Sequence, residues 1–148
     1  MSIFGIEQIQ GKLIFDSYPF PRNFYAQNTI EFITVYVKDG PSENNLPKHI
    51  KEKSKLSEKE WVEFTKQIWN IPVPNKGDLA FGEHSAIMPE EIVRRCVRLF
   101  TYVGDTVLDP CVGSGTTVLQ SIHEQAVILN SFTNKRRAVL GSWNFFWI

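Results

Sequence analysis

The stretch GDTVLDPCVGSGTT, Gly104 to Thr117, decides how this sequence is read. An apolar run ends in an acid, Asp109, and the chain then breaks through Pro110 and Cys111 into Gly113 and Gly115. Thr116 and Thr117 follow and open TTVLQSIHEQ, which reads as a helix. Strand, acid, glycine loop, helix is how α/β proteins build a nucleotide-type cofactor site at the carboxyl end of a strand. The glycines allow backbone angles closed to other residues and a close approach of ligand to main chain. The first amides of the helix point into the gap, and the threonine hydroxyls add polar contacts.

The same loop restricts the ligand. A Walker-type phosphate loop needs a lysine before the threonine, and Ser114-Gly115-Thr116 has none. A dinucleotide fingerprint needs a third glycine where Val118 stands. An acid at the strand end repels phosphates, so Asp109 suits a cationic group such as an amino-acid ammonium. A tight βα turn with no ligand accounts for the glycines equally well.

Outward from the bend, MPEEIVRRCVRLF predicts a helix. Pro89 suits its first turn, and Glu90 and Glu91 favour the positive end of its dipole. Ile92, Cys96, Leu99 and Phe100 form its expected buried stripe, with Arg94, Arg95 and Arg98 on other faces. TIEFITVYVKDG predicts a strand closed by Asp39-Gly40, apolar on both alternating sets and so expected to be covered on both faces. Residues 41–56 are polar and proline-marked and read as a loop. SEKEWVEFTKQIW opens with Ser57 and Glu60 at capping-box spacing, and Trp61, Phe64, Ile68 and Trp69 follow at helical intervals, predicting one amphipathic helix. After the glycine bend two readings stand: AVILN as a strand, or a helix continuing to about Thr133 with RRAVLGSW as the strand.

Composition bounds the class. The 148 residues, 43% hydrophobic and 22% charged, suit one globular domain. Sixteen basic residues balance sixteen acidic ones, so nucleic-acid contact would come from local patches. Cys96 and Cys111 are too few for a disulfide framework or a zinc site and fit a reducing cytoplasm. No signal peptide and no membrane-spanning run is read, so a cytoplasmic protein without membrane or metal partners is expected.

The flanks of the bend carry a resemblance. GDTVLDPCVGSGTT, preceded by GEHSAIMPEEIVRRCVRLF, is similar to the β-type DNA amino-methyltransferases, which move a methyl group from S-adenosylmethionine to the exocyclic amine of adenine or cytosine. SYPFPRNFYAQNTIEFITVYVKDG and KEKSKLSEKEWVEFTKQIWNIP resemble the middle of the same enzymes, so the likeness covers roughly residues 12 to 117. It implies an α/β, partial Rossmann-like methyltransferase fold, a mixed sheet flanked by helices, in a single domain over 1–148. The cofactor-binding strand-loop-helix would span 104–125. It also implies S-adenosylmethionine as cofactor. Asp109 would face its methionine part. Gly113, Gly115 and Thr116 would shape the pocket floor, within a loop that includes Pro110, Cys111, Ser114 and Thr117. His84 and Ser85, with Pro89, would border the pocket; His84 read alone is a loop residue capping the helix near Pro89.

Two family features are not found. The catalytic Asp/Asn/Ser-Pro-Pro-aromatic motif lies N-terminal to everything present here, and the nearest string, SYPFP, has Phe20 between Pro19 and Pro21. The acid that would hold the ribose hydroxyls falls on Asn130 or Ser142, depending on how the tail is read. The chain thus resembles the C-terminal half of such an enzyme. A second chain carrying the catalytic motif would complete it; a degenerate remnant and a partial product are the alternatives, and GSWNFFWI reads either as a strand awaiting a neighbour or as a sign of truncation. DNA is the implied partner. Lys51, Lys53 and Lys55, among the lysines from Lys48 to Lys59, would contact phosphates beside the flipped base; an ordinary solvated surface explains them as well. A non-catalytic DNA-binding or interaction module, and a small-molecule binder on the same scaffold, are the competing functions.

Overall fold

The computed structural model describes residues 2–8, 19–20, 29–37, 39–40, 46–77, 87–111, 113–130 and 145–147. In chain order the elements are β1 (Ser2–Gln8), β2 (Ile30–Tyr36), α1 (Lys48–Lys53), α2 (Glu58–Phe64), β3 (Ile68–Ile71), α3 (Glu90–Phe100), β4 (Thr106–Asp109), α4 (Thr116–His123), β5 (Val127–Asn130) and β6 (Phe145–Trp147). They form a mixed sheet of order β3-β1-β2-β6 and a parallel pair, β4-β5. β1 runs antiparallel to β2 and parallel to β3. The α/β class expected from the sequence is the class observed.

One helix joins the two sheets. On α3, Ile92 and Cys96 pack with Ile6, Ile33, Val35, Trp69 and Ile71, while Val93 and Val97 pack with Val107 of β4. Because Ile92 and Val93 are adjacent, as are Cys96 and Val97, the apolar stripe is wide enough to face both. Burial pushes the Cys96 thiol up to about 12, so this cysteine is a packing residue without a reactive thiolate at neutral pH.

Several expectations are corrected. The helix foreseen across Ser57 to Trp69 ends at Phe64, and Ile68 to Ile71 form β3. The Gly5 amide donates to the Gln67 carbonyl at 2.8 Å, and the register sets Ile6 beside Trp69. Pairing with a distant strand overrides the helical spacing, and Trp61 is left exposed. Within the 41–56 segment read as a loop, residues 48–53 are helical. β2 is covered on one face: Ile33 and Val35 are buried, whereas Phe32 is 69% exposed and Tyr36 57%. Arg95 does not line an outer face; it is buried, with its guanidinium over the Phe64 and Trp69 rings and Nε donating to Glu91 at 2.8 Å. Stacking on two rings and a carboxylate partner offset much of its desolvation. β1 was not foreseen, since its only support is pairing with β2 and β3. RRAVLGSW lies outside the described residues; of the two tail readings, the structure has AVILN as strand β5.

The Ser57 capping box forms as read. The Glu60 amide donates to Ser57 Oγ at 3.2 Å, and the Ser57 amide donates to Glu60 Oε2 at 3.0 Å. The hydrogen bonds from the Ser57 amide and hydroxyl, aided by Arg98 and Arg94, hold the Glu60 carboxyl below the usual glutamate range. A depressed pKa stabilises the fold above the ordinary glutamate pKa, and that contribution is lost as pH falls through the lowered value. Ser57→Ala is therefore expected to lower stability by about 1 kcal/mol at neutral pH. Urea unfolding should show that penalty shrinking below the glutamate range; an unchanged penalty would separate the cap from Glu60 ionisation.

Candidate cofactor site

The glycine bend takes the conformation its residues dictate. β4 ends at Asp109, whose Oδ1 accepts from the Cys111 amide at 2.8 Å. This turn, two residues long, fixes the carboxylate at the strand terminus, which the acid-plus-proline pattern favours. Gly113 and Gly115 have φ of 51° and 86°, in the left-handed region where a side chain would be strained. Gly115 is the N-cap of α4, and its carbonyl accepts from the Leu119 amide at 3.1 Å. The amides of the first turn of α4 thus have no helical acceptor.

The polar groups foreseen at the bend are brought together. Ser114 Oγ and Thr116 Oγ1 lie 3.1 Å apart; Thr116 is buried, Thr117 half-buried, and Pro110 and Cys111 exposed. The exposed, unpaired Cys111 contributes its backbone amide to the turn rather than a covalent link. Asp109 is half-buried, so one side of its carboxylate is held and the site stays accessible. The register pairs Asp109 with Asn130 at the ends of β4 and β5.

The segment upstream is described in part. His84 and Ser85 lie outside the described residues. Pro89 is the N-cap of α3, and the next residue, Glu90, accepts from Gln120 Nε2 of α4 at 3.0 Å. That bond ties the start of α3 to the cofactor helix, and Gln120 is buried while making it. A groove of about 250 Å³ opens beside it, lined in part by Ile71, Pro72, Glu90 and Arg94; none of the described residues of the 109–117 bend lines it.

Sequence reasoning missed the charged clamp behind the site. Arg94 lies 2.8 Å from Glu60 and 3.8 Å from Glu124, and Arg98 lies 3.4 Å and 3.5 Å from the same two residues. These pairs hold α2, α3 and the end of α4 together, and no spacing in the sequence links three separated segments. Lys51 and Lys53 sit on α1 and Lys55 just after it, all three exposed, with Lys55 4.0 Å from Glu52. Among the described residues, no group of His, Cys, Asp and Glu could hold a metal ion, and no helix is long and apolar enough to cross a membrane.

Comparison with known proteins agrees with this geometry. A DNA methylase family model matches residues 4–128. The type II methyltransferase M.MjaI of Methanocaldococcus jannaschii is 34% identical over 102 residues, 69% of this chain and 34% of the relative. The type II methyltransferase M.BglI of Bacillus subtilis is 36% identical over 95 residues, 64% of this chain and 25% of the relative. The chain therefore spans about a third or less of the length of these relatives. The solved structure of TTHA0409 from Thermus thermophilus, assigned as a DNA modification methylase and complexed with S-adenosyl-L-methionine, superposes with a TM-score of 0.68. It is 26% identical, and the match covers 88% of this chain and 46% of that one. A strand ending in Asp109, a left-handed glycine cap and a family match that runs through both lead to one conclusion: the chain belongs to the DNA methylase family.

Proposed function

We propose that this chain is the cofactor-binding part of an S-adenosylmethionine-dependent DNA amino-methyltransferase acting on adenine or cytosine. The observation that carries this reading is the Asp109 carboxylate, held at the end of β4 by the Cys111 amide and followed in the chain by a left-handed glycine turn into α4. A half-buried carboxylate in that position suits the ammonium of the cofactor's methionine part, and the small residues admit it close to the backbone. The S-adenosyl-L-methionine complex of TTHA0409 supports the same ligand. His84 and Ser85 would border the pocket, as the family resemblance implies.

The cofactor would supply an electrophilic methyl group on a sulfonium. Residues 109–117 would bind and orient it, holding the methyl in line with an amine on a base extruded from the duplex. No Pro-Pro-aromatic string occurs among these 148 residues, so the step that accepts the amine's hydrogens would need a segment beyond them, on this or another polypeptide. DNA would meet Lys51, Lys53 and Lys55 through its phosphates, in the cytoplasm. A DNA-binding module without catalysis is the second reading, favoured by the exposed lysines of α1.

Ligand discrimination tests the reading. S-adenosylmethionine and S-adenosylhomocysteine should both raise the unfolding temperature, by the equivalent of about 2.7 kcal/mol at a concentration one-hundredfold above Kd. ATP and NAD should not, because the loop lacks a phosphate-binding lysine and carries an acid. Equal stabilisation by ATP, or none by either adenosyl compound, would sink the cofactor assignment. Salt-sensitive DNA binding indifferent to the adenosyl compounds would favour the second reading.

A further inference from the structure

The helix that follows the glycine bend is seated by polar groups. The buried residues of α4 are Thr116, Gln120 and Ser121, at i, i+4 and i+5 along one face. Apolar packing has no direction and lets a helix roll by small amounts, whereas a hydrogen bond fixes both distance and angle. Thr116 Oγ1 lies 3.1 Å from Ser114 Oγ within the bend, and Ser121 Oγ has no partner among the described residues. Gln120 reaches a different element. Its Nε2 donates at 3.0 Å to Oε2 of Glu90, the first residue of α3.

The two ends of that bond differ in how firmly they are held. α3 is anchored in both cores, through Ile92 and Cys96 in one and Val93 and Val97 in the other. Glu90 follows Pro89, whose ring fixes the backbone at φ −56°. α4 is entered through Gly113 and Gly115, both left-handed, so the chain leading into it has little stiffness of its own. Gln120 stands one turn after Thr116, ~6 Å along the axis. A carboxylate acceptor makes its bond charge-assisted, and losing it leaves a buried amide unpaired.

We propose that Gln120 and Glu90 are positioning residues whose bond sets the roll of α4 on α3 and thereby the placing of Gly113 to Thr117. They act through the bend rather than on a ligand. The pairs of Glu124 with Arg94 and Arg98 hold the other end of the helix and serve stability. The consequence for affinity rests on the cofactor reading proposed above; the consequence for the shape of the bend does not.

Amide chemical shifts of Gly113, Ser114 and Gly115 in the cofactor-free chain read the placing of the bend, away from the immediate neighbours of residue 120. Gln120→Met keeps the volume and loses the donor, so it should move these amides while circular dichroism stays unchanged. Glu90→Ala, thirty residues earlier in the chain, should move the same amides in the same direction. Gln120→Glu sets two carboxylates face to face and should move them further. Adding Glu90→Gln, whose amide donates to that carboxylate, should bring them back. Glu124→Gln should lower the Tm and leave the three amides in place. In calorimetric titration, Gln120→Met and Glu90→Ala should each weaken S-adenosylmethionine binding about tenfold, and Glu124→Gln should not.

Folded Gln120→Met and Glu90→Ala chains whose bend amides stay at the parent positions would overturn the proposal. So would a folded Gln120→Glu chain that Glu90→Gln does not correct. An equal shift from Glu124→Gln would overturn it too, because any loosening of α4 would then suffice. A parent chain that does not bind S-adenosylmethionine sinks the cofactor reading instead, and the cofactor-free shifts still decide the role of the pair.

Discussion

Trp69→Ala should lower the stability of the chain by about 3–5 kcal/mol, the usual cost of truncating a large core aromatic. Trp69 is fully buried, stacks on Phe4 at 4.9 Å between ring centroids, and lies under the Arg95 guanidinium at 5.3 Å. Its Nε1 donates to the Phe64 carbonyl at 3.0 Å, tying the end of α2 to β3. Truncation would open a cavity against Ile6 and Ile33, remove one ring from beneath a buried cation, and orphan a carbonyl. Against a typical total of about 5–15 kcal/mol, this would leave a marginal fold. Urea unfolding measures it, and a loss under ~1 kcal/mol would contradict the account of the core. Trp69→Phe should fall between, keeping the stacking and losing the hydrogen bond.

Asp109→Ala should weaken S-adenosylmethionine binding roughly 10- to 150-fold, the equivalent of one charge-assisted hydrogen bond of about 1.5–3 kcal/mol. The side chain does two jobs: Oδ1 accepts from the Cys111 amide and shapes the turn, and the charge would meet the cofactor's ammonium. Asp109→Asn separates them, because an asparagine oxygen still accepts from Cys111 but carries no charge. Calorimetric titration should therefore show both substitutions losing affinity while Asp109→Asn keeps the turn. If Asp109→Asn binds as tightly as the parent chain, Asp109 is a turn residue and the ammonium is held elsewhere.

How far the sequence disclosed this structure depended on the reach of each signal. The bend was legible because its cues are local: an acid closing a strand, glycines where φ must be positive, a helix directly after. α3 was legible at its start, where Pro89, Glu90 and Glu91 mark the first turn. β3 was misread because Trp61, Phe64, Ile68 and Trp69 happen to fall at helical spacing, while the strand owes its existence to β1, some sixty residues earlier. Arg95 was misplaced for a similar reason. Nothing near it in sequence announces that Phe64 and Trp69 will lie beneath it. The Gln120–Glu90 bond and the Arg94–Glu60 and Arg98–Glu124 pairs join segments that only the folded chain brings together. In the tail, Gln125 at φ 57° turns the chain out of α4 and into β5 at once, a left-handed residue that no glycine marks.

The central claim is that the bend between β4 and α4 holds S-adenosylmethionine. Backbone amide chemical shifts, followed by nuclear magnetic resonance as the cofactor is added to the folded chain, test it most directly. The account predicts saturable shifts at Asp109, Cys111 and Gly113 to Thr117, with the far end of β2 unmoved. Saturable shifts that leave the bend silent, or a well-dispersed spectrum that does not change, would contradict it.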